Sequence, residues 1–189
     1  MGLNMKKNTL QFALFAIFCA AGAAQASDGT ITFSGKLTSV TCGVHGGEAG
    51  ATGGNFTVVL PPLSTKALAS KGAVAGSTGF NIVVGGAEDT GCTDGTKASV
   101  HFEATSPLIN SASGNLKLTS DSTAANVEVQ ISDASAGNAL INLFTNRTST
   151  PVVIAKNTAT LPFTAQYIAT GVATPGTVNT NVQYSISFN

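Results

Sequence analysis

Apolar and polar residues alternate one for one through nine short runs of this chain, and no helical period is sustained among them. A period of two sends successive side chains to opposite faces of a strand, so each run has one face to bury and one to leave in water. The runs are residues 30–37, 55–60, 79–84, 98–104, 115–120, 126–132, 139–144, 160–170 and 181–188. Turn residues punctuate them: Gly46-Gly47, Gly53-Gly54, Pro61-Pro62, Gly85-Gly86, Ser111 to Gly114, Ala136-Gly137-Asn138 and Pro175-Gly176. Many short strands with turn signals between them predict an all-β fold of two packed sheets. One short helix is expected over residues 64–73, where Ser64 offers a cap.

The first residues follow another rule. Lys6 and Lys7 precede an apolar run that ends in Ala24-Gln25-Ala26, the pattern of a secretory signal peptide with cleavage expected after Ala26. The run is short for a membrane span, and no other segment approaches eighteen continuous apolar residues, so no stable membrane insertion is expected after signal removal. Bulky Phe18 before Cys19 argues against lipidation.

Removing 26 of 189 residues leaves 163, enough for one domain with its own core. Lys6 and Lys7 leave with the signal, so seven Lys and Arg face nine Asp and Glu, a net charge near −2. Nothing basic remains to attract nucleic acid. Two cysteines also remain, Cys42 and Cys92, and an exported chain with two cysteines most simply joins them. A bond closing a loop of that length contributes about 4 kcal/mol on the loop-entropy estimate.

Catalytic constellations do not assemble. There is no GxSxG and no HExxH, and the glycine-rich residues 43–55 lack the GK[ST] ending and following helix of a phosphate-binding loop. Asp89-Thr90-Gly91 matches the tripeptide of aspartic proteases, which need two such carboxylates; a single copy among turn residues reads as a turn. His45 and His101 read as ordinary strand or loop histidines, and Glu88, Asp89 and Asp94 fit no calcium-loop spacing. No enzyme activity, cofactor or metal is expected.

The ends of the mature chain carry more. Val182, Tyr184, Ile186 and Phe188 alternate with polar residues until the chain stops at Asn189. Near the other end, Ile31, Phe33, Gly35 and Leu37 share one side of TITFSGKL, a glycine standing where a large apolar residue is expected.

With the stretches GTITFSGKLTSVTC (29–42), STGFNIVV (77–84) leading to Cys92, NVEVQISDASAGNAL (126–140) and LPFTAQYIATGVATPGTVNTNVQYSISF (161–188), the sequence resembles the major pilin subunits of type 1-like fimbriae assembled by the bacterial chaperone–usher pathway. The resemblance implies an incomplete immunoglobulin-like β-sandwich, completed by a donor strand from another subunit. It implies a signal peptide at 1–26, a donor-strand extension at 27–39 and a pilin body at 40–189, with Cys42 and Cys92 as the family's disulfide. Ile31, Phe33, Gly35 and Leu37 become the groove-facing donor residues. Val182, Tyr184, Ile186 and Phe188 become the edge to which a periplasmic chaperone first pairs, with basic chaperone residues holding the Asn189 carboxylate. The implied partners are other copies of the same pilin, that chaperone and an outer-membrane usher, and the implied location is a fimbria on the cell surface, acting in adhesion. A minor or adaptor subunit, or a monomeric secreted carbohydrate-binding sandwich, is the alternative. Gly35 has two readings: a strand bulge, or a position where the donor backbone lies close over a shallow groove floor.

Overall fold

The structure is a computed structural model that describes residues 41–47, 53–86 and 89–189. The signal peptide, the extension at 27–39 with Ile31, Phe33, Gly35 and Leu37, and part of the glycine-rich stretch lie outside the described residues.

Two antiparallel sheets make up the body. The larger contains β1 (Val44–Gly46), β2 (Val74–Gly85), β4 (Val127–Asp133), β5 (Ala139–Leu140) and β7 (Thr158–Ala169) in the order β1-β2-β7-β4-β5. The smaller contains β3 (Lys97–Phe102), β6 (Val152–Val153) and β8 (Tyr184–Phe188) in the order β6-β3-β8. Between the sheets lie Ile82, Val84, Val100, Phe102, Leu143, Ile154, Leu161 and Phe163, each 2% exposed or less. Phe163 joins the layers, stacking on Phe80 at 5.4 Å between ring centroids and meeting Phe102 edge-on at 5.7 Å.

The strand expected at 79–84 is the second half of a longer β2, whose register shifts between Ala75 and Thr78. Gly76 stands at that bulge with φ +71°, and a Cβ there would lie 2.9 Å from Leu63 and Tyr167 side-chain atoms. The helix expected over 64–73 is a single 3-10 turn, Thr65–Leu68, with Ser64 Oγ accepting the Lys66 N–H. Gly72 at φ +86° ends that stretch, and its N–H donates to Ala169, drawing the chain into β2. Residues 115–120 form only bridges, from Leu116 to Ile109 and Val129. The run at 139–144 forms a ladder only at Ala139–Leu140 before a turn capped by Asn142.

β4 is buried along its whole length, polar residues included. It tolerates this because Glu128, Gln130 and Asp133 each have hydrogen-bond partners. Glu128 accepts from Asn110, from Ser113 at 2.8 Å and from Asn115 at 3.0 Å. Gln130 accepts from Gln166 at 2.8 Å, and Asp133 accepts the N–H groups of Ser135 and Thr150.

One end of the body is fastened by the Cys42–Cys92 disulfide. Thr41, the first described residue, donates its N–H to Gly91 beside it. Asp89 accepts from Gly43 and Gly91, so the Asp89-Thr90-Gly91 carboxylate serves a turn. Asp94 accepts the N–H groups of Lys156 and Asn157, whose positive φ values form the tight turn into β7.

Candidate functional site

Among the described residues β8 has a neighbour on one side only. Lys97 and Asn189 exchange both backbone hydrogen bonds at 2.9 Å, and Glu103 N–H donates to Gln183. In an antiparallel ladder such pairs recur every second residue, so Ser185 and Ser187 turn their backbone groups toward β3. The N–H and C=O groups of Tyr184, Ile186 and Phe188 therefore point the other way, to an edge with no strand partner among the described residues. Side chains obey the same parity: Tyr184, Ile186 and Phe188 are half-buried and inward, while Ser185 and Ser187 are exposed. Val182 continues the inward row, and the exposed Asn189 ends the chain.

The run at 55–60 is the second unpaired edge. Its burial alternates, with Phe56, Val58 and Leu60 half-buried and Asn55, Thr57 and Val59 exposed, the last at 78%. That is the pattern of a strand, yet no backbone hydrogen bond to it occurs among the described residues. The alternation expected from sequence is present and the ladder is not.

Between the two edges runs an open groove of about 1260 Å³. Its floor comes from both sheets and includes Phe80, Ile82, Phe102, Leu116, Val129 and Ile131. Of the charged side chains described, only Glu103 reaches its lining. Half-way along, Tyr184 crosses from one edge to the other. Its hydroxyl donates to the Gly54 carbonyl at 2.7 Å, and its ring meets Phe56 edge-on at 6.4 Å. Phe56 in turn lies where a Cβ on Gly46 would be, with Phe80 beyond it at 6.0 Å. Burial holds the Tyr184 and Tyr167 phenols above their ordinary value near 10.

A groove with an apolar floor and two rows of unsatisfied backbone groups suits one kind of occupant, an extended chain that bonds to both sides. Reactive chemistry is not gathered there. His45 lies in β1 opposite Val83, whereas His101 lies in the other sheet with Nδ1 2.9 Å from Thr148 Oγ1. Among the described residues no group of His, Cys, Asp and Glu is placed to hold a metal ion.

Of the residues expected at the site, Val182, Tyr184, Ile186 and Phe188 are brought together along one wall. The opposite wall includes residues 55–60, which alternation alone marks as an ordinary strand; the lack of a ladder there among the described residues is visible in the structure and not in that alternation. The signal was there in Pro61-Pro62 after it, residues that cannot donate to a ladder.

Known proteins are similar to this chain in sequence and in fold. The sequence profile of the family described as FimA, type-1 fimbrial protein A, matches residues 60–189. The F17 fimbrial protein of Escherichia coli is 36% identical over 95% of this chain and 98% of its own length. The major fimbrial subunit SMF-1 of Stenotrophomonas maltophilia is 37% identical over 88% of this chain and 96% of its own. Among solved structures, a subunit of a chaperone–usher pilus described for its rod uncoiling superposes with a TM-score of 0.55, covering 90% of this chain and all of that one at 17% identity. With this fold, this groove and these relatives, the chain belongs to the FimA family of type-1 fimbrial proteins, as an incomplete immunoglobulin-like sandwich.

Proposed function

We propose that this chain is the repeating subunit of a fimbria and that it polymerises by lending residues 27–39 of each copy to the groove of another. The observation that carries the reading is the pair of unpaired edges, β8 and residues 55–60, facing each other over one apolar floor. Ile31, Phe33 and Leu37 are the apolar side chains that enter, each contributing about 1.5–3 kcal/mol on burial. Ordering the arm costs about 1–2 kcal/mol per residue, so the larger gain comes from closing the acceptor's own core. A link of that kind parts only if a sandwich opens, which makes the filament's durability kinetic.

Before assembly the same groove needs a temporary cover, since an exposed apolar cleft with a bare sheet edge invites aggregation. A periplasmic chaperone strand along Tyr184, Ile186 and Phe188 meets that need, with basic residues at the Asn189 carboxylate, and an outer-membrane usher is where the exchange takes place. Surface attachment is the biological outcome.

Deleting residues 27–39 tests the reading. The truncated chain is expected to keep the disulfide-bonded body and to yield no polymer in surface extracts. Filaments at the full-length yield would refute it, as would a mature chain that is a stable monomer with its own arm packed in the groove.

A further inference from the structure

A second, smaller cleft opens on the β6 side of the smaller sheet, with β3 standing between it and β8. It lies where a hairpin splits. Asn146 N–H donates to the Asn142 carbonyl at 2.8 Å, a register that sets Leu140 opposite Thr148. One arm then joins the larger sheet: Ile141 N–H donates to Ile131 at 2.9 Å, so Leu140, one residue away, turns its N–H and C=O away from β4. The other arm joins the smaller sheet: Ser149 N–H donates to Val100 at 2.8 Å and the Arg147 carbonyl accepts from Phe102 at 2.9 Å. By the same rule Thr148 turns its backbone pair away from β3. Leu140 and Thr148 therefore aim these groups toward one another, and among the described residues no backbone hydrogen bond joins them.

The space between the parted arms is about 220 Å³, below the roughly 300–1,000 Å³ of sites for drug-sized ligands. Of the charged side chains described, only Asp133 reaches its lining. Asp133 is 5% exposed, and its carboxylate is held by the N–H groups of Ser135 at 2.9 Å and Thr150 at 2.6 Å. Each of its oxygens has a second lone pair to offer a donor. The exposed Asn146 adds an amide at the rim, and Ala136, Ala139 and Leu140 add apolar surface. That chemistry selects among occupants. The carboxylate repels an anion, and a metal ion would find one carboxylate where it needs several oxygen ligands. A peptide strand would find one residue's backbone pair on each side, too few for a ladder.

We propose that this cleft binds a neutral saccharide, one sugar ring at a time. Sugar hydroxyls both donate and accept, which suits the mixed set offered here: the Asp133 carboxylate, the Asn146 amide, and the N–H and C=O groups of Leu140 and Thr148. The C–H face of the ring lies on Leu140, which is 61% exposed without such a cover. Because β3 separates the cleft from β8, a strand lent to the groove leaves the cleft open. A site this small binds weakly alone. Repeated on every copy of a polymer it gains avidity of about 10²- to 10⁴-fold from repetition; only that gain rests on the polymer function proposed above.

Saturation-transfer NMR on the full mature protein tests the site. The probes are the methyl glycosides of glucose, galactose, mannose, fucose, N-acetylglucosamine and N-acetylgalactosamine, with the tripeptide Ala-Val-Ala alongside. Transfer to at least one glycoside is expected, with a Kd of about 1 mM. Ala136→Trp, which fills the cleft from its exposed rim, is expected to abolish that transfer, and Asn146→Ala to weaken binding roughly tenfold, the loss of one hydrogen-bonding group. Polymer yield of both variants is expected to stay at the wild-type level, which separates failure of the cleft from failure of strand lending. No transfer to any glycoside would overturn the proposal. So would transfer that persists in Ala136→Trp, since the sugar then sits elsewhere, and so would transfer to the tripeptide alone, which would make the cleft a peptide site.

Discussion

Replacing Ile186 with aspartate separates the open groove from the filled one. While no strand covers it, the half-buried Ile186 side chain lies on the wall of an open groove, so a carboxylate there reaches solvent and the body is expected to be little affected. Once a strand lies over it, position 186 is covered beside its register partner Val100, which is 0% exposed, with no cation among the groove's described lining. The variant then forfeits about 1.5–3 kcal/mol of apolar burial and meets a desolvation penalty of a few kcal/mol more, roughly 5 kcal/mol together, a factor of about 10³ to 10⁴ in the assembly equilibrium. The penalty belongs to the ionised form, so the carboxyl's pKa is higher in the filled groove than in the open one. Assembly is therefore spared below the free value near 4 and lost as pH rises through the raised value. The assay is polymer yield, read as a ladder that resists SDS without heating, from mature chain assembled at pH 7 and at pH 4. Ile186→Asp is expected to abolish the ladder at pH 7 and recover part of it at pH 4, whereas Ser187→Asp, on the exposed face, leaves it unchanged. Wild-type yield for Ile186→Asp at pH 7, or equal inhibition by Ser187→Asp, would refute the inward placement.

Other consequences concern the body. Gly85→Ala is expected to cost 3 kcal/mol or more, roughly, because φ is +74° and the new Cβ would meet the Asn157 carbonyl and the Cys92 sulfur; the assay is the midpoint of denaturant unfolding of the assembled subunit. Glu128→Ala removes the acceptor shared by half-buried Asn110 and Asn115 and exposed Ser113 and is expected to cost about 1.5–3 kcal/mol by the same measure, with Glu128→Gln between it and wild type. Removing the disulfide through Cys92→Ser is expected to cost about 4 kcal/mol and to lower the steady-state level of subunit, measured by immunoblot. Because burial favours the neutral phenols of Tyr167 and Tyr184, stability is full below pH 10 and falls as pH rises through their elevated values; absorbance at 295 nm is expected to show later ionisation in folded than in unfolded chain, and Tyr167→Phe to leave the Tyr184 step in place.

The all-β class, the cores of the long strands and the inward row Val182, Tyr184, Ile186 and Phe188 follow from the period of two, because alternation along a strand is a local property of sequence. The two-cysteine count likewise anticipates the Cys42–Cys92 bond. Chain pairing is not local. Residues 55–60 and 115–120 alternate as faithfully as β8, and only the packed structure leaves the first without a ladder, and the second with bridges alone, among the described residues. β4 reads as a strand with a wet face, yet its face of Glu128, Gln130 and Ser132 is buried because donors from other segments close over it. The helix expected over 64–73 gives way to a short turn because Gly72 bonds across to Ala169 and the chain enters β2 there. The Tyr184 bridge to Gly54 spans 130 positions of sequence, and no periodicity foretells it. Sequence by itself determined which side chains each strand would turn inward; tertiary structure decided which edges would stay unpaired, since an edge is vacant only with respect to everything else the fold has placed beside it.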